Sequence, residues 1–117
     1  MPASALSAQH CEACPKDTPP LSVPEAQKKL KDLKGWILGD GGKALEKEYL
    51  MKDFLAACEF IQEIAKTAEA EDHHPDLHLT GYRKLRVVLS THSIGGLSTN
   101  DFILAAKIDE LPKQLKG

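Results

Sequence analysis

The chain has 117 residues and a formal net charge of −2, with no run of basic residues. That is room for one domain with a single modest core, and the charge excludes nucleic-acid binding driven by electrostatics. No apolar run approaches the roughly 18 residues of a membrane span, so a soluble, cytoplasmic protein is expected, or an organellar one if a targeting peptide was removed upstream.

Residues 1–21 are rich in Ala, Ser and Pro, hold four of the seven prolines, and show no period that would bury a face. They read as a flexible N-terminal tail ahead of a single domain over residues 22–117, because ordering them costs entropy with little burial to offset it. Cys11 and Cys14 form a C-x-x-C pair there. Structural zinc normally needs four ligands, and the remaining Cys58 falls in an apolar helical pattern, so no metal is expected at the pair.

Ser22-Val23-Pro24-Glu25 is a helix start, with Ser22 as cap, Pro24 in the first turn and Glu25 three residues on. Ala26, Leu30 and Leu33 share a face, and Gly35 closes the helix. Trp36-Ile37-Leu38, a Gly39-Asp40-Gly41-Gly42 turn and Leu45 to Leu50 predict a β-hairpin. Asp53 is placed to cap a long helix whose apolar stripe runs Phe54, Cys58, Ile61, Ala65, Ala68. That helix delivers Glu69 and Asp72 to its last turn, where the macrodipole disfavours negative charge and a partner is called for. His73 and His74 are the natural partners.

Pro75 removes an N–H and pushes His74 into an extended conformation, so the helix is expected to stop there. His74 and His78 stand four apart, a metal-binding spacing on a continuous helix, but Pro75 lies between them and argues against it. Leu77 to Leu79 supplies a further strand. Leu85 to Thr91 alternates as a strand with Leu85, Val87, Leu89 and Thr91 on one face, leaving His92 at the strand end. Gly95-Gly96 is a turn, Ser98 a cap, and Phe102, Ala105, Ala106, Ile108 and Leu111 the apolar side of a last helix. Asp101, in the first turn of that helix, is favourable there for structural reasons alone. These elements pack most economically as an α+β fold, a four-stranded antiparallel sheet with three helices on one face.

Four of the five histidines fall between Glu69 and Asp101. Neutral imidazole accepts and donates a proton near neutrality, so several histidines in one pocket can divide acid and base roles, with carboxylates holding chosen tautomers. Glu69, a three-residue gap, His73-His74-Pro75, six residues, Tyr82, nine residues, His92 and then Asp101 follow in order. Together with Gly35-Trp36, Lys52-Asp53-Phe54, Ser90-Thr91-His92 and Gly95-Gly96-Leu97, this resembles the pterin-4a-carbinolamine dehydratase family from about Val23 to Leu111.

The resemblance implies dehydration of a 4a-hydroxytetrahydropterin to quinonoid dihydropterin, in tetrahydropterin recycling, with no metal and no cofactor. Carried over by motif position, His73 and His92 are the acid and base and His74 positions the 4a-hydroxyl. Glu69 and Asp72 orient rings or contact the pterin. Pro75 and the Ser90, Thr91, His92 and Ser93 stretch line the substrate pocket. The resemblance further implies a homodimer or homotetramer, without nucleic-acid or membrane partners. The competing class is a non-catalytic pterin-binding or coactivator protein on the same fold.

Overall fold

The computed structural model describes residues 6, 8–11 and 18–116. In chain order the elements are α1 (Val23–Leu30), β1 (Ile37–Gly39), β2 (Ala44–Leu50), α2 (Phe54–Glu71), β3 (Asp76–Thr80), β4 (Lys84–Leu89) and α3 (Thr99–Glu110). The alternation of Leu85, Val87 and Leu89 puts β4 at the centre of the antiparallel sheet, whose order is β1-β2-β4-β3. Leu45, Lys47 and Tyr49 of β2 pair with Leu89, Val87 and Leu85. Leu77 and Leu79 of β3 pair with Val87 and Leu85. One face therefore meets the helices, and the other carries polar residues such as Glu46 and Arg86, joined at 3.0 Å. This is the α+β arrangement of four strands and three helices expected from the pattern.

Ser22 caps α1 and Glu25 returns the bond to the Ser22 N–H, a full capping box. The helix stops at Leu30 rather than continuing to Gly35. Lys31, Asp32 and Leu33 instead make i to i−3 bonds to Lys28, Lys29 and Leu30, a tighter winding that turns Leu33 into the core. Asp53 caps α2 through the Ala56 N–H at 2.8 Å.

The buried face of α2 is Ala56, Ala57, Phe60, Ile64 and Ala68, one helical step from the expected stripe. Phe54 and Ala65 are exposed and Cys58 and Ile61 lie at the margin. In an apolar helix neighbouring stripes are both available. Here Phe60 wins because its ring packs edge-on against Tyr49, with centroids 5.0 Å apart.

α3 was expected to have one apolar side, but Asn100 through Ala106 and Ile108 are all buried. It runs against α2 and the sheet, and the N-terminal segment closes over its first turn, where the Cys11 thiol donates to the Asn100 carbonyl at 3.6 Å. Near its other end, the Asp109 carboxylate accepts from Trp36 Nε1 (2.8 Å), Lys47 Nζ (2.9 Å) and Tyr49 Oη (2.5 Å), tying β1 and β2 to the helix. Leu6 is buried in the core, Leu21 N–H donates to the Leu97 carbonyl at 2.8 Å, and Cys11 packs against the cluster. No helix among the described residues is long and apolar enough to cross a membrane.

Candidate active site

The end of α2 places the first histidine. Asp72 adopts the left-handed conformation (φ 51°, ψ 43°), which Asp tolerates better than most residues because its short polar side chain bonds locally. The His73 N–H then returns to the Ala68 carbonyl at 3.1 Å, the closing bond of a Schellman-type helix end. The helix thus ends at Glu71, before Pro75 is reached. Asp72, expected to orient a ring or contact the pterin, is exposed, and its backbone reverses the chain.

His73 turns inward. Its Nε2 lies 2.6 Å from Asp101 Oδ1, with 12 % of the histidine side chain and none of the aspartate exposed. The other carboxylate oxygen, Oδ2, accepts from Thr91 Oγ1 at 2.8 Å and from the Ser98 N–H at 3.0 Å. Since the Thr91 proton goes to Asp101, the Ser98 hydroxyl, 2.8 Å away, donates to Thr91 Oγ1. Asp101 therefore closes the first turn of α3 and also holds a histidine. A carboxylate on Nε2 selects the Nε2–H tautomer and leaves the Nδ1 lone pair as the basic position.

Residue by residue, the expected site divides. His73 and Thr91 join one buried network with Asp101 and Ser98. His74 Nε2 pairs with Glu69 Oε1 at 2.7 Å, but both side chains are more than half exposed, so this contact contributes little to stability. His92 is exposed and directly follows Thr91. It does not stand at a strand end: β4 stops at Leu89, Thr91 bridges to Gly96, and His92 begins a 3-10 turn over His92–Ile94. Gly95 closes that turn at φ 68°, a conformation favourable to glycine. Ser90 is half-buried and Ser93 exposed beside it, and Pro75 leads into β3. His78 lies within β3 on the exposed sheet face, so His74 and His78 do not share a helix face.

Sequence reasoning gave Asp101 a structural role alone and passed over Ser98 as a site residue. The available signal was the buried character of the helix that carries them, because a carboxylate with no exposure needs every oxygen satisfied. Cys11 is also near: burial, followed by the charges of Glu71 and Asp101, pushes its thiol up to about 12. A thiol held protonated in this way is a poor nucleophile. Cys14 lies outside the described residues.

Comparison with known proteins bears on what such a site serves. The model of the family described as Pterin 4 alpha carbinolamine dehydratase matches residues 19–111. A Methylococcus capsulatus protein provisionally named pterin-4-alpha-carbinolamine dehydratase is 40% identical over 111 residues, covering 95% of this chain and 96% of its own. The Arabidopsis thaliana protein named pterin-4-alpha-carbinolamine dehydratase 2, mitochondrial, is 42% identical over 91% of this chain and 58% of its own length. Among solved structures, the transcriptional coactivator/pterin dehydratase from Brucella melitensis superposes with a TM-score of 0.72 at 34% identity, covering 77% of this chain and 95% of that one.

Proposed function

This chain belongs to the pterin-4-alpha-carbinolamine dehydratase family, and we propose that it converts a 4a-hydroxytetrahydropterin into quinonoid dihydropterin and water by histidine acid–base catalysis, in tetrahydropterin recycling. The observation that carries the reading is the His73–Asp101 pair, a buried carboxylate holding one imidazole in one tautomer.

The reaction removes a proton from N5 and the hydroxyl from C4a, so its demands are a base, an acid and a positioned leaving group. His73 takes the N5 proton on Nδ1, and Asp101 steadies the imidazolium that forms, as carboxylates do for catalytic histidines elsewhere. His92 supplies the proton that lets the hydroxyl leave as water, and His74, steadied by Glu69, positions that hydroxyl. The proton taken by His73 and the one lost by His92 balance through solvent, so each turnover restores both rings. The Ser90 to Ser93 backbone and Pro75 line the pterin, and Asp72 contributes through the turn it makes.

Self-association belongs to the same proposal: among the described residues β3 has a strand partner on one side only, and Leu55 and Leu115 are exposed apolar residues, so light scattering is expected to give a dimer or tetramer. The compartment proposed is the cytoplasm, with an organelle as the alternative that the Arabidopsis relative's name suggests. Adding synthetic carbinolamine to the purified protein and following its dehydration against the uncatalysed background tests the activity. A rate above background is expected. Pterin binding with no acceleration would favour a non-catalytic binding or coactivator role.

A further inference from the structure

Glu71 closes α2 two residues before His73, at the helix end where the macrodipole opposes a negative charge. Its side chain is nonetheless nearly buried, 8 % exposed. Three donors surround the carboxylate. The Cys11 N–H reaches Oε1 at 2.7 Å, His10 Nδ1 lies 2.9 Å from Oε2, and Lys107 Nζ of α3 lies 3.7 Å from Oε2. Burial pushes the Glu71 carboxyl up, but the Cys11 N–H, His10 and Lys107 outweigh it, and the group sits below its usual range.

These contacts join the two sides of the site. Glu71 links the end of α2 to Lys107 on α3, the Cys11 thiol reaches the Asn100 carbonyl beside Asp101, and His73 crosses the same gap to Asp101. A second part of the N-terminal segment touches the turn that carries His92. Leu21 bonds to Leu97, and Pro20 lies so close to Gly96 that a Cβ there would come within 2.8 Å of it. The N-terminal segment thus bridges α2 and α3 beside the site, through Cys11 to Glu71 and to Asn100.

We propose that Glu71 is a positioning residue of the dehydratase site and that the segment around His10 and Cys11 is the strap that holds it, fixing the end of α2 so that His73 meets Asp101. This rests on the functional reading above. His73 reaches Asp101 from a backbone position that Glu71 anchors, and a catalytic group displaced by about 1 Å can lose on the order of 10²-fold in rate.

The test uses the full chain with Glu71→Ala, Glu71→Gln, Cys11→Pro and Cys11→Ala. In each, kcat, KM, the melting temperature and the imidazole nitrogen resonances of His73 are measured. Glu71→Ala is expected to lower kcat on the order of 10-fold, less than a full 1 Å displacement would, with KM little changed and the His73 ring resonances moved. Glu71→Gln, whose amide oxygen still accepts from the Cys11 N–H, recovers part of the loss. The ratio of Cys11→Pro to Cys11→Ala reads the lost N–H together with the φ that proline fixes, and is expected as a further loss of at least about 2-fold, the low end of what one net hydrogen bond is worth. Melting temperatures that fall while kcat and the His73 resonances stay at wild-type values would overturn the proposal. If Glu71→Ala does not fold, the Cys11 pair decides. If the wild-type protein shows no dehydration, the functional reading fails, and the His73 resonances alone decide the strap.

Discussion

At the scale of single residues, the site turns on which carboxylate meets which ring. His73 is held by the fully buried Asp101, whereas His74 meets Glu69 in solvent. Replacing His73 or His92 by Ala is expected to cost on the order of 10²–10⁴-fold in rate, the usual range for a lost acid or base. Replacing His78, on the exposed face of β3, should cost little, and equal losses at all three would show the site to be misassigned. Asp101→Asn tests the partner. It presents an amide donor where three donors converge, so it should lower kcat on the order of 10²-fold, near the floor of that range. The same change should cost about 1–3 kcal/mol of stability for the unmet groups. Denaturant unfolding alongside rate measurements separates the two effects, and a full rate in a destabilised protein would restrict Asp101 to capping. Of this arrangement the histidines were legible in the sequence. The Asp101 partner was not, because an acidic residue in the first turn of a helix already has a sufficient reason to be there.

At the scale of elements, α2 shows how periodicity can choose the right helix and the wrong stripe. Phe54 and Phe60 are both in it, but Phe60 is 1 % exposed and Phe54 55 %. Phe60→Ala should therefore cost about 3–5 kcal/mol, transfer plus cavity. Phe54→Ala should stay within about 0.5 kcal/mol, as surface changes do. Urea midpoints at one protein concentration decide it, and similar losses from both would mean that Phe54 is covered by something outside the chain. The same limit applies to the strand before His92. Its alternation continues through Thr91 on paper, but pairing stops at Leu89 because the Thr91 hydroxyl turns in to Asp101 and Gly95 closes a turn.

At the scale of the whole molecule, the Asp109 network ties the hairpin to the end of α3 and should be felt in the pH dependence of folding. Burial, followed by the hydrogen bond to and charge of Asp109, pushes the Tyr49 hydroxyl far above its usual range. Lys47 and Lys113 also face its ring, at 4.8 Å and 5.8 Å. The unfolded chain releases the tyrosine proton near pH ~10, before the folded protein does. Stability from this group is thus complete below that pH and lost as pH rises through it. Lys113, held below its usual range mainly by burial, acts with the opposite sign, because the folded protein gives up that proton first. Urea midpoints from pH 8 to 11 should fall along the alkaline limb in the wild type and less steeply in Tyr49→Phe. Parallel curves would remove Tyr49 as the cause. Glu71 contributes on the acid side. Its lowered carboxyl contributes stability above its unfolded value that is lost as pH falls through the folded one.

The sequence by itself determined the α+β class, the hairpin, the caps at Ser22 and Asp53, the inward face of β4 and the order of the histidine motif. Each of these is written in contacts between residues near one another along the chain, where turn chemistry, capping and alternation act. The tertiary structure alone decided that Asp101 reaches back 28 residues to His73 and that α3 is buried all round. It also decided that Glu71 is held by Cys11 from 60 residues away. Those choices depend on which elements pack together, and no local pattern carries them: a carboxylate is acceptable at a helix terminus with or without a partner, and only packing brings the partner within bonding distance.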